Sequence, residues 1–247
     1  PYLQRSRFYF GDAVYDTSRT VRHKPYKFKE HIERLYRSLR YLRIDPRMTP
    51  QEVLAATEEV VHRNVPLLAE NDDYWVIQNV SRGLIEPGVT RSPTAGGRPT
   101  VVIFCEAISF KTFASRFTEG VKLFTPSTRR TPPQCLDPKV KTRNYLNHML
   151  AELEAKEVNP EYTALMLDLE GNITEHINSN FFIVADGGLV TPGPKNVLCG
   201  ISRQTVMELA VANWAFRSGS ETSRCTTPST PTKPSLRPPV AALPPFP

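Results

Sequence analysis

A chain of 247 residues, 40% hydrophobic and 23% charged, is long enough to bury a substantial core and suits two modest domains or one large α/β unit. Its formal net charge of +6 is a small excess, half of it in the last 33 residues, where Arg217, Arg224, Lys233 and Arg237 stand against Glu221 alone. Elsewhere basic and acidic residues alternate without a patch of interleaved aromatics, which argues against a nucleic-acid partner, and no run approaches the roughly 20 apolar residues of a membrane span.

No basic-then-apolar signal segment opens the chain, which starts at Pro1, so a trimmed or fragmentary start is expected. Cys105, Cys135, Cys199 and Cys225 lie far apart and form neither a CxxC pair nor a Cys/His ligand spacing. Reduced thiols of a cytoplasmic protein are expected, with no disulfide frame and no metal site.

Residues 1–21, PYLQRSRFYFGDAVYDTSRTV, carry enough aromatic and β-branched residues to predict strands around Gly11 and Asp12, with Tyr15 on the second. In PYKFKEHIERLYRSLRYLRI, residues 25–44, Ile32, Leu35, Leu39 and Leu42 make one helical stripe, which His31, Arg34 and Ser38 flank. A second helix starts at Thr49-Pro50-Gln51-Glu52, a capping box with proline at the first helical position, and runs on through Val53, Ala56, Val60 and Val61. Apolar runs at 74–80 and 100–108 read as two strands. The Gly/Pro/Ser/Arg-rich stretch between them, with Arg82, Arg91 and Arg98, reads as a long exposed loop of the kind that carries function.

SFKTFASRFTEG at 109–120 reads as a link, after which residues 121–125 begin a second strand-and-helix series. Chemistry concentrates in RRTPPQCLDPKVKTRNYLNHMLAELEAKE, residues 129–157. There Lys141 sits just ahead of Leu146, Met149, Leu150 and Leu153, which follow the i, i+3, i+4, i+7 spacing of an amphipathic helix. A lone lysine in a polar turn is ordinarily solvated, so a role for Lys141 rests on the rest of the chain. ALMLDLEGNITEHINSNFF, residues 164–182, reads as two strands that deliver Glu175.

Strands at 180–184 and 189–191 flank a turn at 186–188, and Ser202 is the predicted N-cap of a helix holding Val206, Leu209 and Ala210. After Trp214 the composition changes: eight of the 23 prolines follow Cys225, and no helical or strand period survives, so residues 215–247 are expected to be a disordered tail. Synonymous codons chosen for residues 214–235 and read from the third base of each give GIPFRERDLSVYDAFNADEAF, a globular-looking sequence, which suggests a frame change near residues 210–213.

FGDAVYD at 10–16, EHIERLYRS at 30–38, RRTPPQCLDPKVK at 129–141, EGNITE at 170–175 and GISRQTV at 200–206 together resemble the class IV aminotransferases of pyridoxal-phosphate fold type IV. That family includes branched-chain and D-amino-acid aminotransferases, R-selective amine transaminases and aminodeoxychorismate lyase. The resemblance implies an α+β protein of two α/β domains, at 1–109 and 120–214, joined by a link at 110–119, with the C-terminal part incomplete. It implies pyridoxal 5'-phosphate as cofactor, a small-molecule amino donor and a 2-oxo acid acceptor as partners, and a homodimer.

By the same resemblance, Lys141 is similar to the lysine that forms the Schiff base with the cofactor, and the asparagine at Asn144 favours it over Lys139. Arg34 is similar to the arginine that holds the cofactor phosphate, and Ile201 and Ser202 to its backbone and hydroxyl contacts, which suits a helix N-terminus as an anion site. Glu175 resembles the carboxylate that pairs with the pyridine nitrogen, Tyr145 a residue that reaches the ring hydroxyl or stacks nearby, and Tyr15 a substrate-pocket tyrosine; a core aromatic of the helix is the alternative for Tyr145 and a buried structural tyrosine for Tyr15. Arg82, Arg91 and Arg98 are loop or loop-edge candidates to trap a substrate carboxylate. His176 and Ile177 stand where relatives carry glycine and small residues, and the tail lacks a hydroxyl-rich turn that relatives use for further contacts. Transamination of branched-chain or related amino acids by a ping-pong mechanism is the activity implied first. R-selective amine transamination and the lyase reaction are alternatives, and an inactive product is the competing reading of another class.

Overall fold

The structure is a computed structural model that describes residues 10–83, 98–185, 188–214 and 218–219. The chain divides into two compact units, Pro1–Phe113 with Val140–Asn144, and Ala114–Lys139 with Tyr145–Pro247.

In the first unit β1 (Ala13–Val21), β2 (Lys24–Tyr26), β3 (Tyr74–Ser81) and β4 (Thr100–Ala107) form an antiparallel sheet in the order β2-β1-β3-β4. The tight turn from β1 to β2 puts Arg22 and His23 at φ 50° and 65°, a conformation costly for residues with a Cβ. Asp73 offsets that cost by accepting hydrogen bonds from the Arg22 N–H at 3.1 Å, the His23 N–H at 2.9 Å and the Thr20 hydroxyl at 2.6 Å.

Helices α1 (Phe28–Leu42) and α2 (Pro50–Asn64) follow the apolar periods of the sequence. The predicted capping box is present: the Thr49 hydroxyl accepts from the Glu52 N–H at 3.2 Å, and the Glu52 carboxylate accepts from the Thr49 N–H at 2.7 Å. α1 ends in a Schellman turn, with Arg43 left-handed and the Ile44 N–H bonded back to the Leu39 carbonyl at 3.0 Å. Ile32, Leu35, Leu39, Ile44 and Val53 close the core over Val14 and Val80, two cross-strand partners on β1 and β3. His31, Arg34 and Ser38, expected merely to flank the stripe, are buried as well, because Asp16 supplies a buried polar partner on that face.

Residues 140–144 extend this sheet along the free edge of β1. Val14 bridges Thr142, the Tyr15 N–H donates to the Lys141 carbonyl and the Arg143 N–H to the Ala13 carbonyl, both at 3.0 Å. Asn144 Nδ2 donates to the Gly11 carbonyl at 3.0 Å. Gly11 has φ +64°, and a Cβ there would lie 2.5 Å from Asn144 Oδ1, so both backbone shape and space require glycine at this position.

In the second unit β5 (Leu123–Phe124) runs parallel to β6 (Thr163–Leu167), with α4 (Leu146–Val158) between them in sequence, and β6 turns back into β7 (Ile173–His176). The β6–β7 turn is an Asx turn: Asp168 Oδ1 accepts from the N–H groups of Glu170 at 3.0 Å and Asn172 at 2.8 Å, with Gly171 at φ +85°. β8 (Ile183–Ala185), β9 (Gly188–Val190) and the short β10 (Ser218–Gly219) form a second sheet, followed in space by α5 (Ile201–Trp214). β10 is a strand pair where the sequence predicts none; the rest of the tail lies outside the described residues.

Residues 110–118, within the stretch expected to link the domains, form a helix, α3 (Phe110–Thr118). The apolar stripe of α4 faces outward, with Leu146 72% and Leu153 54% exposed and Met149 and Leu150 beside them. The helix instead packs through Ala151 and Ala155 onto Ala164 and Met166, because small side chains let its backbone approach β6 closely.

Candidate active site

The first unit contributes Lys141 and what holds it. The Lys141 N–H donates to the Ser38 hydroxyl at 3.1 Å, and the Ser38 hydroxyl donates to the Arg34 carbonyl at 3.2 Å, so α1 and the lysine segment are stitched together. Residues alternate along the paired segment, which puts Lys141 and Arg143 on the face that Tyr15 presents. Lys141 Nζ lies 4.5 Å from the centroid of the Tyr15 ring and the Arg143 guanidinium 3.7 Å from it, and Arg143 Nε donates to Asn79 Oδ1 at 2.7 Å.

Arg34 is clamped to Asp16, the residue after Tyr15 on β1, through Nε to Oδ2 at 2.8 Å and Nη2 to Oδ1 at 2.7 Å. His31 Nδ1 is 2.7 Å from the same Oδ1. Asp16 is fully buried. Burial alone would raise its pKa, but the charge and hydrogen bonds of Arg34, with those of His31, outweigh it and hold the carboxyl well below the usual carboxylate range.

Of the arginines expected to trap a substrate carboxylate, Arg82 is bound at both ends: Nε donates to Asp12 at 2.6 Å and its terminal nitrogens to the Leu42 and Arg43 carbonyls at 2.7 Å and 3.0 Å. Arg91 lies outside the described residues.

The second unit presents Glu175 in a dense set of donors. Oε1 accepts from Arg130 Nη2 at 3.3 Å and Nε at 3.4 Å, and Oε2 from the Leu198 N–H at 3.0 Å and Asn180 Nδ2 at 3.1 Å. A Cβ on Gly200 would stand 2.0 Å from Asn180 Oδ1, so this glycine is required for the approach that keeps Asn180 on Glu175. His176, next along β7, points the other way: its Nε2 is 2.6 Å from the Thr163 hydroxyl and its Nδ1 3.2 Å from that of Ser179. Burial pushes its imidazole pKa down against the Glu152 carboxylate. The large side chain after Glu175 therefore leaves the carboxylate's own surroundings unchanged.

At α5 the Gln204 N–H bonds to the Gly200 carbonyl at 3.0 Å, which makes Gly200 the N-cap and sets Ser202, predicted as the cap, one residue inside the first turn. The first N–H groups of Ile201, Ser202 and Arg203 have no carbonyl within the helix to bind, and with the helix dipole they make an anion site. Tyr145 is the N-cap of α4 and stacks on His148 at 4.8 Å between centroids. Lys139 pairs with Asp137 at 3.2 Å.

Each unit by itself holds groups of the kind pyridoxal phosphate takes: in the first a primary amine fixed on strand backbone, in the second a buried carboxylate with oriented oxygens and a helix end suited to an anion. Asp16, His31, Arg130, Asn180 and Arg143 are not among the residues predicted from sequence, yet they make the contacts that hold Arg34, Glu175 and Tyr15. Arg130 stood inside a quoted motif, whereas Asn180 carries no local signal. Among the described residues no group of His, Cys, Asp and Glu could hold a metal ion, and no helix is long and apolar enough to cross a membrane.

A model of the amino-transferase class IV family matches residues 13–222. A provisionally named branched-chain-amino-acid aminotransferase of Methanocaldococcus jannaschii is 35% identical over 202 residues, 81% of this chain and 66% of that protein. A branched-chain-amino-acid aminotransferase-like protein of Arabidopsis thaliana is 31% identical over 208 residues, 81% of this chain but only 35% of its own length. This chain thus spans less than two thirds of each. Among solved structures, a branched-chain aminotransferase of T.th. with pyridoxamine 5'-phosphate superposes with a TM-score of 0.75 at 27% identity, covering 87% of this chain and 70% of that one. The Escherichia coli branched-chain enzyme shares the fold, with a TM-score of 0.81 at 23% identity over 90% of this chain and 72% of that one.

Asp16 makes stability depend on pH in a stated direction. A carboxyl whose folded pKa is depressed contributes stability that is fully present above the ordinary carboxylate value of about 4 and is lost as pH falls toward the folded value. Denaturant unfolding should therefore show the protein losing stability from about pH 5 downward, while Asp16→Asn starts less stable and has a shallower slope. Equal slopes in the two proteins would contradict this.

Proposed function

The chain belongs to the class IV aminotransferases, and from that membership we propose that it is a pyridoxal-phosphate-dependent transaminase moving an amino group between a branched-chain or related amino acid and a 2-oxo acid. The observation that carries the reading is Lys141, whose backbone is locked to β1 while its amine stands over Tyr15. When bound, the pyridoxal ring supplies an electron sink for negative charge at the substrate carbon.

The chain's residues do the rest. Lys141 Nζ would be the nucleophile that holds the cofactor and, as a free amine, the base that takes the proton from the substrate's α-carbon. Glu175 would pair with the pyridine nitrogen, a role supported by the fixed orientation that Arg130, Asn180 and the Leu198 N–H give its oxygens. Ile201 and Ser202 in the first turn of α5 hold the phosphate, with Arg34 as its second anchor and Asp16 orienting that guanidinium. Tyr145 serves the ring hydroxyl and Tyr15 walls the substrate side. The Arabidopsis and Methanocaldococcus relatives, both named for branched-chain amino acids, support that substrate class. Three free thiols among the described residues accord with a cytoplasmic setting.

The protein should exchange amino groups between leucine and 2-oxoglutarate, and Lys141→Ala should lower that rate by at least about a thousandfold, since it removes nucleophile and base together. Full turnover in the variant sinks the assignment. We also propose a homodimer, supported by the outward stripe Leu146, Met149, Leu150 and Leu153 on α4. Sedimentation should give twice the mass of one chain, and Leu150→Glu should shift it toward one; a monomeric wild type would end this part of the reading.

A further inference from the structure

Arg143 is two residues beyond Lys141, and the backbone pairing with β1 aims both side chains at one aromatic ring. Their charged groups are 4.5 Å and 3.7 Å from the Tyr15 centroid, so they are separated by no more than those two distances together. The guanidinium is held over the ring and, at Nε, by Asn79 Oδ1 at 2.7 Å. An arginine fixed in this way has already lost the rotamer freedom that a flexible surface arginine gives up on binding. Asn79 sits opposite Tyr15 in the β1–β3 register, so ring and tether are both parts of the sheet and not of a loop.

We propose that Arg143 is the receptor for the substrate's α-carboxylate, and hence the residue that makes this site choose α-amino acids and 2-oxo acids over amines that lack a carboxylate. The inference rests on Lys141 being the reacting amine. A reacting carbon sits about 3–3.5 Å from that amine. Its carboxylate is one carbon–carbon bond further on, and a charge-assisted hydrogen bond of about 2.7–2.9 Å joins the carboxylate to a guanidinium. That chain of lengths is of the order of the upper bound that the two ring distances set between Lys141 Nζ and the Arg143 guanidinium. Arg82 is engaged by the Asp12 carboxylate and by the last carbonyls of α1, which suits it to fastening the end of the sheet.

The test is a binding measurement that needs no turnover. The cofactor-loaded protein is titrated calorimetrically with 4-methylvalerate, which has the carboxylate but no amino or keto group, and with 4-methylpentanamide, its neutral isostere. The acid should bind about tenfold or more tightly than the amide. Arg143→Gln should remove that preference, Arg143→Lys should retain part of it, and Arg82→Gln should leave it intact. If Arg143→Gln does not fold, Arg143→Lys decides: an undiminished preference in it overturns the proposal. So does an undiminished preference in Arg143→Gln, or a wild type that binds acid and amide alike. Failure of the wider reading has a different signature, because a chain that prefers the acid through Arg143 yet exchanges no amino group keeps the receptor and loses the transaminase.

Discussion

The pairing of residues 140–144 with the start of β1 is the constraint on which the chemistry depends. Two backbone hydrogen bonds and one bridge join positions more than a hundred residues apart in the chain, and they decide which way Lys141 and Arg143 point. A one-residue slip would turn both side chains to the helix-covered face. Gly11 guards the register, since only a glycine at φ +64° leaves room for Asn144 to bond its carbonyl. The Ser38 hydroxyl guards it from the other side by accepting the Lys141 N–H. The lysine's position is thus a property of the sheet, which is how a long flexible side chain comes to have a defined place.

Around that frame the chain buries charge, and it does so only where partners are complete. Asp16 meets Arg34 in a two-pronged pair with His31 on the same oxygen, and Glu175 meets four donors from three separate stretches. Removing one partner of such a buried pair costs about 3–5 kcal/mol, far more than an exposed ion pair such as Lys122–Glu161 is worth. These sites are therefore rigid. Rigidity is what a carboxylate needs if it is to meet a ring nitrogen in one orientation, and what a guanidinium needs to meet a phosphate.

Much of this was legible in the sequence, wherever the signal is local. The capping box at Thr49 and Glu52, the stripe through Ile32, Leu35 and Leu39, and the order of five motifs all follow from neighbours along the chain. What was not legible depends on partners far away in sequence. Nothing near His31 or Arg34 says that Asp16 will bury them, and nothing near Arg82 says that Asp12 and the end of α1 will occupy it. The period of the α4 stripe gives an amphipathic helix but not the direction of its faces, and Ala151 and Ala155 decide the direction by letting β6 come close. Ser202 looked like a cap because serine favours that place, yet Gly200 takes it, where a larger residue would displace Asn180 from Glu175.

The central claim is that Lys141, and not its neighbour Lys139, is the reactive amine. Purified protein loaded with pyridoxal phosphate should be reduced with borohydride, digested, and its modified peptide located by mass spectrometry. The account predicts a single phosphopyridoxyl group on Lys141, absent when the protein is unfolded before loading. Modification at Lys139, or no stable modification of the folded protein, would contradict it.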